Sequence, residues 1–231
     1  MSISEPLRRS RLVLVRHGET LGNSSIRYYG RTDIALSDLG RRQMRAARDA
    51  LVRRFGDGLE EPHFDLVFAS PLSRAREGAT VITRARPILI EEFVEINFGA
   101  FEGLTGDEIR DRYPEEFAHW MRNRLDPAYV YPKGESRAAF LERVHRGVAR
   151  MLAVIDHARG SCFGDTEPAR PIQPEAILVA HRGVIRAVIQ RLANISPIIE
   201  LASIHSLVRD RSRSDWQAEL LDDTSHLASI K

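Results

Sequence analysis

The apolar run Leu12-Val13-Leu14-Val15 stops at Arg16-His17-Gly18-Glu19-Thr20, so a segment with the look of a buried strand delivers a guanidinium and an imidazole to its own carboxyl end. The same event recurs where Phe64 to Ala69 meets Ser70-Pro71-Leu72-Ser73-Arg74, and where Glu175 to Ala180 meets His181-Arg182-Gly183. Residues of these types suit chemistry at phosphorus. A neutral imidazole such as that of His17 can attack phosphorus and carry the phosphoryl group as a phosphoramidate that water then cleaves. The planar donor forks of Arg16 and Arg74, with His181, suit the equatorial oxygens of the transferred group. Backbone amides of helices starting near Ser70 and Gly183 would add dipole support for the anion. A carboxylic acid on a nearby loop, to protonate the leaving alcohol, would complete the set.

For these groups to meet, the three apolar runs must lie side by side. Strand and helix patterns alternate from end to end, which predicts an α/β three-layer sandwich with a mostly parallel central sheet flanked by helices; ligands of such sheets bind at the carboxyl ends of the strands. Ser37 is the expected N-cap of a helix over about 38–54, with Met44, Ala47 and Leu51 inward and Gly56 and Gly58 stopping it. Ser70 is expected to cap the next helix, with Pro71 at its first position and Leu72, Ala75, Ala79 and Ile82 as its stripe. Arg74 then sits in the first turn and leans back over the strand end.

Ile88 to Ile90 reads as a short strand, followed by a loop from Glu91 to Gly103. Thr105 and Glu108 form a capping box, and Pro114 ends or bends the helix it opens. The aromatic- and arginine-rich stretch 103–132 reads as an insertion over the active-site edge. A long helix follows from about Ser136 with Phe140, Val144, Val148, Met151 and Ile155 inward, then a surface loop over 160–174, and a helix after His181. The last strands are expected near 206–209 and 216–221.

At 231 residues and 43% hydrophobic, the chain is long enough for one core, and one domain over 1–231 is expected. Thirty-four basic residues against thirty-two acidic ones leave a net charge of +2, so no global field asks for nucleic acid or a membrane surface as a partner. Lys133 and Lys231 are the only lysines; the other cations are arginines, and position must single out the functional ones. Cys162 is the only cysteine, which excludes an intrachain disulfide. No run approaches the roughly 20 apolar residues of a membrane span, and the expectation is a cytoplasmic protein.

The motifs Arg16-His17-Gly18-Glu19-Thr20 with Asn23, Ser70-Pro71-Leu72-Ser73-Arg74-Ala75, Glu95 ahead of Gly99 and Glu102-Gly103, and His181-Arg182-Gly183 resemble, in order, those of the histidine phosphatase superfamily, the phosphoglycerate-mutase-like fold. Asp222 to Leu227 is similar to a terminal motif of its phosphatase members. The resemblance implies that His17 is the phosphorylated nucleophile, that Arg16, Arg74 and His181 form the phosphate pocket, that Glu95 is the proton donor, and that Asn23 helps line the phosphate site. Tyr29, Gly30, Arg182 and Gly183 are the further expected substrate-binding positions. No metal and no cofactor is implied, and the expected partner is a small-molecule phosphomonoester.

Mutases of this superfamily carry basic and aromatic residues just after the glutamate and further arginines for a carboxylate. Here Ile96, Asn97 and Phe98 are neutral, which favours hydrolysis, and Pro132 to Ser136 resembles the phosphatase branch. Arg122 and Arg124 could reach the mouth from the insertion, so a bisphosphoglycerate-dependent mutase stays as the alternative. A non-catalytic phospho-ligand binder is the other alternative, although binding alone needs neither His17 nor Glu95. Tyr28, Tyr29, Phe98, Phe101 and Trp120 could shape a pocket or pack beneath the insertion.

Overall fold

The computed structural model describes residues 9–55, 60–160, 175–210 and 215–230. A six-stranded sheet has the order β3-β2-β4-β1-β5-β6, formed by Arg9–Arg16 (β1), Leu66–Ala69 (β2), Ile88–Leu89 (β3), Glu175–Ala180 (β4), Ile204–Asp210 (β5) and Gln217–Asp223 (β6). Strands β3, β2, β4 and β1 run parallel, and β5 pairs antiparallel with β1 and with β6. The mostly parallel sheet expected from the alternating pattern is therefore present.

Among the described residues, six α-helices cover its faces and its edge: Asp38–Phe55 (α1), Ser73–Thr83 (α2), Gly106–Arg112 (α3), Pro114–Asn123 (α4), Arg137–Gly160 (α5) and Arg182–Ala193 (α6). Alternate residues of β1 serve opposite layers. Val13 and Val15 pack with Met44, Ala47, Leu51, Ala75, Ala79 and Ile82 of α1 and α2, whereas Leu12 and Leu14 pack with residues of α5 and α6 such as Val144, Met151 and Val188. Burial on both faces explains why β1 and β4 read as unbroken apolar runs. The stripes expected on α1, α2 and α5 are the buried ones.

One boundary departs from expectation. Helix α2 starts at Ser73, so Pro71 lies before it and Ser70 does not cap it. Asp33, from a distant loop, instead accepts from the amide and hydroxyl of Ser73 at 2.7 Å each, while Ser70 Oγ accepts from the Leu72 amide at 3.3 Å and faces a histidine. The Thr105–Glu108 capping box of α3 is present and α3 ends at Arg112, ahead of Pro114 as expected; Pro114 then opens a further helix, α4. Gly56, Gly58 and the expected loop over 161–174 lie outside the described residues.

β5 carries a histidine with a consequence for stability. His205 is fully buried, with Asp222 N–H donating to its Nδ1 at 3.0 Å and Ser203 Oγ 3.1 Å from its Nε2. Burial lowers it to about 4 despite the opposing pull of Asp222. Between that value and the ordinary one near 6.5 the unfolded chain binds the proton and the folded chain does not, so stability falls as pH falls through this window. At pH 5 the loss from this group is about 2 kcal/mol relative to neutral pH. Urea melts at pH 7 and pH 5 should show the wild type losing more than His205→Gln by about that amount; equal losses would remove His205 from the account.

Candidate active site

Strands β2, β4 and β1 are neighbours, so their carboxyl ends place Ser70, His181 and Arg16-His17 side by side. The His17 amide donates to Ala180 O at 3.0 Å, and the Ser70 amide donates to Val179 O at 3.1 Å. The two imidazoles meet edge to face with ring centroids 5.2 Å apart. His17 Nδ1 lies 2.8 Å from Gly18 O. A carbonyl can only accept, so Nδ1 carries the proton and the lone pair is on Nε2. Burial, then the charges of Arg74 and Arg16, holds His17 well below the ordinary histidine value, so it is neutral at neutral pH. Gly18 is required by close approach: a Cβ there would stand 2.6 Å from Gly40 O at the start of α1.

His181 is held neutral by the same causes, burial first and then Arg74, His17 and Arg16. Its Nε2 lies 2.7 Å from Ser70 Oγ, and its Nδ1 is buried without a hydrogen-bond partner. Arg74 is fully buried, yet its guanidinium donates only to the carbonyls of Thr32, Gly30 and Tyr29, and its Nε has no partner. Arg16 is bound through one nitrogen to Ile199 O at 3.1 Å, and its Nε is likewise buried and unpaired. Burial and the charge of Arg182 push Arg16 down to about 10, so it stays cationic. Buried donors of native proteins are rarely left unpaired. The unpaired Nε atoms of Arg16 and Arg74, beside two neutral imidazoles of which one has an unpaired Nδ1, form a site with the character of an anion cup.

Glu95 completes the set from the side. Its two oxygens accept from the Ile96 amide at 2.9 Å and from the Gly183 amide, in the first turn of α6, at 2.8 Å. The loop carrying it is braced by Arg143, which donates to the carbonyls of Glu92 and Val94 and pairs with Glu135. Glu102 accepts from the amides of Gly30, Arg31, Thr32 and Phe98. The segment 29–32 is therefore gripped by Glu102 through its N–H groups and by Arg74 through its carbonyls. Glu19 orders the preceding loop. Burial pushes its carboxyl upward, but hydrogen bonds from Ser25, Thr20 and Ser24 outweigh this and leave it below the ordinary value.

A Cβ on Gly183 would lie 2.5 Å from Glu95 Oε1 and 3.1 Å from Phe140 Cζ. Gly183→Ala is thus expected to dislodge the Glu95 carboxylate, and if Glu95 is the proton donor the motif implies, to cost at least about tenfold in turnover of an alkyl phosphate, within the roughly 10²-fold that a 1 Å misplacement can cost. Binding of vanadate should change much less; an equal loss in both would place Gly183 in the anion cup itself.

A cavity of about 540 Å³ opens over the cup, lined by Arg16, His17, Glu95, Tyr29, Arg182 and Gly183 of the expected residues. Tyr28, Phe98 and Trp120 also line it, whereas Phe101 is packed in the core beneath the insertion. Four of the expected residues, Arg74, His181, Asn23 and Gly30, do not line this cavity. Asn23 is exposed in a turn with φ 59°, a conformation asparagine tolerates, and does not line the cavity. Gly30 is buried behind the wall and serves as a handle for Arg74 and Glu102. Ile96 and Phe98 line the wall as neutral groups, but Arg124 does too, so the wall is less stripped of cations than residues 96–98 suggest; Arg122 is not on it. Ser24, Ser25, Arg137 and Arg186 are wall residues that sequence reasoning missed. Among the described residues, no group of three or more His, Cys, Asp or Glu is placed to hold a metal, and no helix is long and apolar enough to cross a membrane.

Residues 12–221 match the family model of the histidine phosphatase superfamily, branch 1. The chain is 34% identical over 192 residues to a bifunctional protein of Mycobacterium tuberculosis, covering 81% of this chain and 49% of that one, so it spans about half the length of that relative. It is 32% identical over 184 residues to glucosyl-3-phosphoglycerate phosphatase of the same species, covering 78% of this chain and 74% of the relative. The solved α-ribazole phosphatase of Shigella flexneri superposes with a TM-score of 0.73 at 25% identity over 92% of this chain and 96% of that one. The match along nearly the whole sequence, in the fold just described, means that the chain belongs to the histidine phosphatase superfamily.

Proposed function

We propose that this chain hydrolyses small-molecule phosphomonoesters through a covalent phosphohistidine. The observation that carries the reading is the neutral, tethered His17, whose Nδ1 is committed to Gly18 O, whose ring meets that of His181, and which feels the charges of Arg74 and Arg16, each with a buried, unpaired Nε. Nε2 attacks phosphorus, the N–P bond forms as the P–O bond to the alcohol breaks, and Glu95 gives its proton to the leaving oxygen. The Glu95 carboxylate then takes a proton from water, whose oxygen attacks phosphorus, and the N–P bond breaks to restore the imidazole. Arg16 and Arg74 bear the charge of the equatorial oxygens. With Ser70 donating to His181 Nε2, the proton of neutral His181 sits on Nδ1 and adds a third donor. No step draws on a metal or cofactor.

That relatives include phosphatases supports hydrolysis. Retention of both a nucleophile and an acid opposes mere binding, and the neutral pair Ile96 and Phe98 weighs against a mutase. The deciding assay is a phosphomonoester panel with p-nitrophenyl phosphate, plus 3-phosphoglycerate with its bisphosphate. Release of inorganic phosphate is expected. Interconversion of phosphoglycerates without release would make the protein a mutase, and inertness toward every ester would make it a binder.

A further inference from the structure

Glu95 stands on a segment with no regular structure of its own, between one turn of 3₁₀ helix at Glu91–Phe93 and another at Gly99–Phe101. A proton donor on such a segment keeps its place only if the main chain is held on both sides of it. Two side chains hold it. Before Glu95, Arg143 Nη1 donates to Glu92 O at 2.7 Å and to Val94 O at 2.8 Å. After Glu95, Glu135 Oε2 accepts from the Asn97 amide at 3.3 Å, and the Glu135 amide donates to Asn97 O at 2.9 Å. The two clamps are joined, because Arg143 Nε and Nη2 donate to the two oxygens of Glu135 at 3.1 and 2.8 Å.

The construction depends on the shape of a guanidinium. Arg143 spends four N–H groups in one plane on two carbonyls and both oxygens of a carboxylate, whereas an ammonium has three donors and no plane. With side chains only 21% and 18% exposed, Arg143 and Glu135 are shielded from the solvent that loosens surface pairs. Arg143 also packs on the Phe140 ring, the ring that a Cβ on Gly183 would meet, so the brace backs onto the turn whose amide holds the Glu95 carboxylate. Neither Arg143 nor Glu135 lines the cavity, so neither is placed to touch substrate.

We infer that Arg143 and Glu135 are a positioning pair for proton delivery: acting through the backbone at Val94 and Asn97, they fix where the Glu95 carboxyl stands relative to the leaving oxygen. The inference rests on the hydrolase reading, with Glu95 as the acid, and adds to it two residues that act only through Glu95.

Phenyl phosphate and p-nitrophenyl phosphate test it, being of similar shape but needing protonation of the leaving oxygen to very different degrees. In Arg143→Lys, kcat/KM for phenyl phosphate should fall by about tenfold or more, within the roughly 10²-fold that a 1 Å displacement can cost, and that for p-nitrophenyl phosphate by less than about threefold. Arg143 is one of the charges that lower His181, and lysine keeps that charge, so the loss reads the fork and not the field. Glu135→Gln, which turns an amide nitrogen toward either the Arg143 fork or the Asn97 N–H, is the second variant and should show the same dependence on leaving group. In Arg143→Lys/Glu95→Gln, phenyl phosphate should be turned over no more slowly than in Glu95→Gln alone, since a misplaced acid and a missing acid are one defect. Equal losses on the two esters, losses that multiply in the double variant, or wild-type rates in both single variants overturn the inference and leave the hydrolase standing. Wild-type turnover of p-nitrophenyl phosphate alone shows a hydrolase with no working acid and overturns it too. No turnover of either ester overturns the hydrolase and the inference together.

Discussion

Replacing His17 by alanine is expected to lower kcat for every phosphomonoester by a factor on the order of 10⁴ or more, the usual scale for removing a covalent nucleophile. The size follows from the site's construction. His181 is the neighbouring imidazole, but its Nε2 is engaged with Ser70 Oγ and its Nδ1 is the proton-bearing atom of the proposed tautomer, so it has no lone pair to substitute. The buried donors of Arg16 and Arg74 survive the change and should still bind phosphate or vanadate. Steady-state rates with a thermal melt as folding control check this. A loss below about tenfold in a folded variant would mean that water attacks phosphorus directly.

The second large effect belongs to Glu95→Gln and depends on the leaving group. An alkoxide cannot depart unprotonated at a useful rate, so kcat/KM for an alkyl phosphate should fall by about 10² to 10⁴, the range of general acid catalysis. Nitrophenolate leaves without help, and its kcat/KM should fall by less than about tenfold. In the proposed mechanism the two substrates share the second step, in which the same carboxylate activates water. With p-nitrophenyl phosphate, therefore, kcat should fall through slower hydrolysis of the phosphoenzyme, seen as a burst of nitrophenolate followed by a slow phase. An amide also presents an N–H to Ile96 N–H or Gly183 N–H where the carboxylate accepted from both, so a modest fall in Tm is expected. Equal losses of kcat/KM on both esters would assign Glu95 to positioning alone.

The strand ends were legible because their signal is local: four apolar residues followed by Arg16-His17 state both a buried strand and what it presents. Glu95 was legible only through its motif, since nothing in its neighbourhood announces that the Gly183 amide, 88 positions away, will hold it. Ser70 shows how a local rule misleads. As a serine before proline at a strand end it is a natural cap, yet Asp33 reaches α2 from a remote loop and Ser70 serves His181 instead. The bracing roles of Arg143, Glu135 and Glu102 were not legible for the same reason: each binds backbone groups far away in sequence, and a chain with thirty-two arginines gives no compositional hint as to which are buried. The cavity-wall arginines Arg124, Arg137, Arg182 and Arg186 are assembled from an insertion and two helices, so only the packed structure brings them to one wall.

The most direct measurement is rapid quenching of the enzyme with a ³²P-labelled phosphomonoester, followed by mapping of the labelled peptide. The account predicts a phosphoenzyme labelled at Nε2 of His17, stable to alkali and labile in acid, and absent from His17→Ala. An enzyme that turns over under these conditions with no label on His17, or with its label elsewhere, would contradict it.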